Sequence, residues 1–218
     1  MHFNLNNPVW GFMRTLAAFT ALNLVFLVTM VPIVTIGPAL GALYSTLFAY
    51  IDHDDISLTR EYLKRFTHEF KQGILSWLVY LIIGAALLFG AVFWLQVSSN
   101  VTYVIYPILI IAAVVYLLSL EYMYPLQARF ANSSRRLWAL SLMVPWKVLG
   151  MSCALIAIDI AALSLGHFSA IIRVLMVVFG LAWVAYAKSL VFTRAFAKIS
   201  HPEGNKDEGP LNPQASLV

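Results

Sequence analysis

Between Lys71 and Glu121 the chain carries no charged side chain. A run of that length fits two membrane crossings at ~20 residues each. The polar turn Ser98-Ser99-Asn100 divides it, giving spans at about 74–97 and 103–120. Composition agrees: 61% of the residues are hydrophobic and 11% charged, against the ~25% charged of soluble domains. The 218 residues leave room for about five crossings and little else. The expected fold is therefore all-α: a polytopic helical membrane protein with about five transmembrane helices, forming one domain over residues 1–200.

The first span, about 15–36, is interrupted. Pro32, Gly37 and Pro38 fall inside the apolar stretch LNLVFLVTMVPIVTIGPALGALY at 22–44. Proline removes a backbone donor and clashes with the preceding turn, so a helix kinks or stops there. In lipid the carbonyls left over need partners, which confines such breaks to places buried in protein or lining a wet cavity. Thr29 and Thr35 stand close enough in sequence to supply them. The motif Pro32, Thr35, Gly37, Pro38 reads first as a packing hinge and second as a binding site, with a short helix following at 38–51.

Residues 57–71, SLTREYLKRFTHEFK, place Leu58, Tyr62, Phe66 and Phe70 four residues apart, with Arg60, Glu61, Lys64, Arg65 and Lys71 largely off that stripe. This pattern predicts an amphipathic helix lying in the membrane interface; a core-facing helix of a small cytoplasmic cap is the alternative. Two further spans are expected at 148–165 and 168–187, around the turn Gly166-His167. The tail 201–218, rich in Pro, Gly, Asn and charge, reads as disordered.

Lysine and arginine cluster in 52–73, in 124–147 and from Lys188 onward, and are missing from the turns at 98–101 and 164–168. The positive-inside rule then makes the basic connections and the C-terminus cytoplasmic. Five full crossings put the N-terminus outside; a hairpin with its tip at Pro32 to Pro38 puts it inside. The net charge of +4 and pI near 9.2 do not indicate nucleic-acid binding, because the basic residues sit at span ends, where topology and anionic lipid account for them. Arg60, Lys64, Arg65, Arg129, Arg135 and Arg136 are candidate cytoplasmic docking or lipid contacts.

Asp159 lies well inside an apolar span. A carboxylate there is costly and points to a functional site by default, with a partner to be named. In a hairpin centred on Gly166, Asp159 and Arg173 each stand seven residues from the tip. They are expected to pair or to share one polar pocket, as a helix-fixing salt bridge or as a ligand or proton site. Glu121 and Lys188 form a similar but weaker case nearer the cytoplasmic ends, where lysine can snorkel to the interface. Asn23, in the first span, can hydrogen-bond across helices. Catalytic chemistry has no footing: there is no nucleotide loop, nucleophile elbow or His-Glu helix pair. The single Cys153 rules out a disulfide within the chain and a cysteine metal cluster. No catalytic residue, metal or cofactor is expected.

The core Pro32 to Tyr44, the Asn23-Leu24 pair, the Phe66-to-Gln72 helix and the segment YPLQARFANSSRRLWALSL together resemble the YesL family of bacterial integral-membrane proteins, over about residues 8–195. The resemblance implies a protein of the bacterial plasma membrane without established catalytic residues. Family genes often neighbour carbohydrate ABC-importer components, so it also implies an accessory to sugar uptake, with importer subunits as partners beside the lipid bilayer. A stand-alone transporter or channel, and a membrane sensor or assembly factor, are the competing functions.

Overall fold

The computed structural model describes residues 8–53, 56–97, 100–130 and 134–200. The acidic turn at 54–55, the Ser98-Ser99 turn and the tail expected to be disordered lie outside the described residues. Helix α1 (Pro8–Met30) ends just before Pro32, and a 3₁₀ turn (Ile33–Thr35) leads into α2 (Ile36–Asp52). Pro38 does not break anything. It sits in the first turn of α2, where no intrahelical donor is required of it. The interruption therefore spans 31–35. Thr35 closes it, its hydroxyl donating to the carbonyls of Thr29 at 2.6 Å and Pro32 at 2.7 Å. Those are carbonyls that the lost helical turn leaves over.

α1 and α2 run antiparallel. Thr29 and Thr35 meet at the tip, and Phe19 meets Tyr50 at the other end, ring centroids 5.5 Å apart. The segment expected to be a short helix after one long span is thus the second arm of a helical hairpin. Among the described residues, six helices are long and apolar enough to cross a membrane: Trp10–Met30, Ile33–Asp52, Leu58–Gln96, Thr102–Arg129, Leu149–Phe168 and Ala170–Ile199. The fold is all-α and polytopic.

Residues 57–71 do not form an element of their own. Ser57 caps α3 (Leu58–Gln96), and residues 58–71 fall within its first half; the helix is 39 residues long and hence about 58 Å at 1.5 Å per residue, longer than a ~30 Å hydrocarbon core. No proline divides the polar half from the apolar half. The aromatic stripe faces protein at its start: Leu58 and Tyr62 are buried, and the Tyr62 hydroxyl is hydrogen-bonded to that of Thr29. Phe70, further along, is exposed.

α2 lies along this half of α3 in a fixed antiparallel register, in which Gly37 faces Gly73, Gly41 faces Glu69 and Ser45 faces Arg65. A Cβ on Gly73 would stand 2.7 Å from the backbone of Pro38, and one on Gly37 2.6 Å from the Cβ of Trp77. Small residues here let two backbones touch, the usual basis of helix association in lipid. Gly37 is therefore explained by packing rather than by the break.

The apolar half of α3 pairs with α4 (Thr102–Arg129). The Tyr116 hydroxyl donates to the Tyr80 carbonyl at 3.0 Å and covers Gly84. Tyr80, Ser119 and Ser141 join hydroxyls at 2.6–3.2 Å, and Ser141 belongs to α5 (Ser134–Lys147). Satisfying one another, these groups can be buried without penalty. α6 (Leu149–Phe168) and α7 (Ala170–Leu175) form the last hairpin. A π-helical turn (Met176–Gly180) then continues into α8 (Leu181–Ser200). Asn23 of α1 secures the π turn: its amide donates to the carbonyls of Val177 and Val178, and its oxygen accepts from Ala182 N. An aromatic core of Tyr44, Tyr122, Phe192 and Phe196 binds α2, α4 and α8 together.

Candidate functional site

The polar centre forms where α4, α6 and α8 converge. Lys188 on α8 is buried, and its ammonium lies 2.8 Å from Glu121 Oε1 on α4 and 2.6 Å from Asp159 Oδ1 on α6. All three residues belong to helices long and apolar enough to cross a membrane. Charged groups at such positions are retained only when paired or functional.

Two cavities meet at this centre. One, of about 630 Å³, runs between α1, α2, α6 and α8 to the α6–α7 turn and is lined by Asp159 and Lys188 together with Arg173 and His167. The other, of about 470 Å³, lies against α4 and is lined by Glu121, Asp159 and Lys188 together with Tyr124. Leu40, Tyr44, Asp159 and Lys188 contribute to both walls. The salt-linked centre is therefore part of the partition between two spaces, each large enough for a small solute.

Asp159 and Arg173 share the larger cavity but make no salt bridge with each other. The Arg173 side chain turns back onto its own hairpin, Nε donating to the Gly166 carbonyl at 3.0 Å, and the carboxylate of Asp159 goes to Lys188. Equal distance from a turn sets depth only; which way a side chain points depends on the 100° step per residue and on the π turn, which re-phases α8. The expected snorkelling of Lys188 toward the interface is replaced by burial between two acids, reached by its four-carbon stem. A polar residue in α8 facing the same bundle as Asp159 was the available signal.

The broken-helix residues lie at the hairpin tip, with Pro32 exposed and Gly37 and Pro38 buried. Thr35 is engaged by its two carbonyls, and none of the four lines either cavity. The basic candidates separate into two groups. Arg65 binds Ser45 Oγ at 2.6 Å and Glu61 at 3.5 Å, and Arg129 binds Asp52 at 2.6 Å with its guanidinium over Phe48. Arg60, Lys64, Arg135 and Arg136 are exposed.

Among the described residues no group of three or more His, Cys, Asp or Glu side chains is placed to hold a metal ion. The centre offers charge and hydrogen bonding: an ammonium already shared by two carboxylates, with a guanidinium at the far end of the larger cavity. No curated protein and no solved structure matches the chain. Residues 17–91, which cover most of α1, all of α2 and most of α3, match a family described as "Protein of unknown function, DUF624".

Proposed function

We propose that this is a non-enzymatic integral membrane protein that admits a small polar solute to the Glu121–Lys188–Asp159 centre, acting as a transporter or channel. The observation that carries this reading is the ion-paired centre set in the common wall of two cavities. A bundle held by apolar packing alone has no use for three charges whose desolvation costs several kcal/mol each. Reconstitution in proteoliposomes tests it: solute flux that falls in Asp159→Asn supports the reading, and solute-tight vesicles across a panel of sugars, amino acids and small ions would sink it.

A second reading is an accessory subunit of a carbohydrate ABC importer in the bacterial plasma membrane. It is favoured by the resemblance to the YesL family and by the exposed Arg60, Lys64, Arg135 and Arg136, which offer a docking face for an acidic partner surface or for anionic lipid. Co-purification from native membranes in mild detergent decides it; recovery of the chain alone counts against it.

A further inference from the structure

Glu121, Lys188 and Asp159 contribute two carboxylates and one ammonium, so the fully ionised centre carries one negative charge in excess. The ammonium can neutralise either acid but not both. In a low-dielectric setting an uncompensated carboxylate is the most expensive of the available states. A carboxyl group that takes up a proton removes that cost at once, and two acids that share one site rarely ionise together.

Among the described residues, Lys188 is the cation within salt-bridge distance of the two acids. From α2 the facing group is Tyr44, and from α4 it is Tyr124; neither is a cation. Arg173 of α7 and His167 of α6 line the larger cavity. Arg173, however, is tied to Gly166 O at 3.0 Å, and Gly166 stands seven residues beyond Asp159 on α6, about 10 Å along the helix at 1.5 Å per residue.

We propose that Glu121 and Asp159 hold one exchangeable proton between them, making the centre a proton-carrying site that opens onto both cavities. With the proton on Glu121, Lys188 pairs with Asp159; with the proton on Asp159, it pairs with Glu121. Lys188 stays protonated in both states, and the proton is gained from or lost to water in the cavity that the carboxyl faces. Glu121 lines the smaller cavity alone, whereas Asp159 lines both. The two protonation states therefore address different spaces. The inference deepens the solute reading above by giving the same centre a coupling ion, yet the presence of the proton can be measured without any solute.

Infrared titration of the full chain in lipid nanodiscs tests it, read at the protonated-carboxyl stretch. The Glu69→Gln background is used because Glu69, beside Gln127 and Arg65, is a further partly buried acid of the bundle. The expected result is one titrating protonated carboxyl, lost in Glu121→Gln and equally in Asp159→Asn, because either amide leaves one acid balanced by one lysine. Lys188→Met should show two. Should that variant fail to fold, the two near-isosteric amides still carry the test. A band that survives in both amide variants overturns the proposal. So does its absence at every pH, the result expected if a monovalent cation or Arg173 neutralises the centre. A proton band without solute flux would leave this inference standing and remove only the transporter reading.

Discussion

Asn23 Oδ1 accepts the backbone N–H of Ala182 at 2.8 Å, while the same side chain donates to the carbonyls of Val177 at 2.8 Å and Val178 at 2.6 Å. One amide thus satisfies, from a different helix, the backbone groups that a π turn leaves unpaired. Asn23→Leu removes all three bonds and leaves the part-buried carbonyls of Val177 and Val178 in the π turn and the buried Ala182 N–H of α8 without them. Interhelical hydrogen bonds in membranes average well below 2 kcal/mol each, so a total loss of about 1–3 kcal/mol is expected. Denaturant unfolding in detergent would show it, and unchanged stability would mean the π turn does not depend on α1.

The contact of α2 with α3 is expected to be intolerant of a methyl group. Gly73→Ala and Gly37→Ala drive a Cβ into backbone or into a neighbouring Cβ, whereas Gly150 and Gly166 have nothing within 4 Å of theirs. Fluorescence-detected size exclusion should show loss of the monodisperse peak for the first two and wild-type behaviour for alanine at the other two. Gly41→Ala should fall between, because its obstacle is the movable end of the Glu69 side chain.

Truncating Lys188 should cost far more than removing the whole centre. Lys188→Met leaves both acids without their cation, so that each must be protonated or stand uncompensated, and breaking a buried pair typically costs 3–5 kcal/mol. Combining it with Glu121→Gln and Asp159→Asn should recover most of the loss. A triple variant no more stable than Lys188→Met would show that the charges are not coupled.

The Arg129–Asp52 pair, at 2.6 Å and partly exposed, should matter little. Solvent-exposed ion pairs contribute about 0–1 kcal/mol, and Asp52→Asn is expected within that range in the same unfolding assay. A loss several times larger would assign the α2–α4 end a structural role beyond charge pairing.

If all six apolar helices cross, Trp10 and Ile199 lie on one side of the membrane, and the positive-inside rule predicts that side to be the cytoplasm. Reporter fusions at the two termini should therefore give the same orientation signal. Opposite signals would mean that the α1–α2 hairpin does not cross as two helices.

How much of this was legible beforehand differs by element. Charge-free runs announced α4 and the apolar half of α3, because lipid accepts few alternatives to a helix of that length. Pro32 announced the end of α1, and Asn23 was recognisable as a residue in need of an interhelical partner. What could not be read was that the helix expected at 57–71 and the span expected at 74–97 are one continuous α3: an amphipathic pattern says that one face is apolar, not whether lipid or α1 and α2 will cover it.

The site divides along the same line. By itself the sequence determined that this is a helical membrane-class chain, that Asp159 lies within an apolar span where a carboxylate is costly, and that the first apolar stretch is broken. These follow from local composition and from backbone chemistry that holds for any tertiary arrangement. Tertiary structure alone decided that Lys188, not Arg173, answers Asp159, that Glu121 joins them, and that Gly37 serves helix contact. Depth along a helix can be counted in residues, but the direction in which a side chain points is set by its angular phase and by which helix stands opposite. Those two quantities exist only once the bundle is assembled.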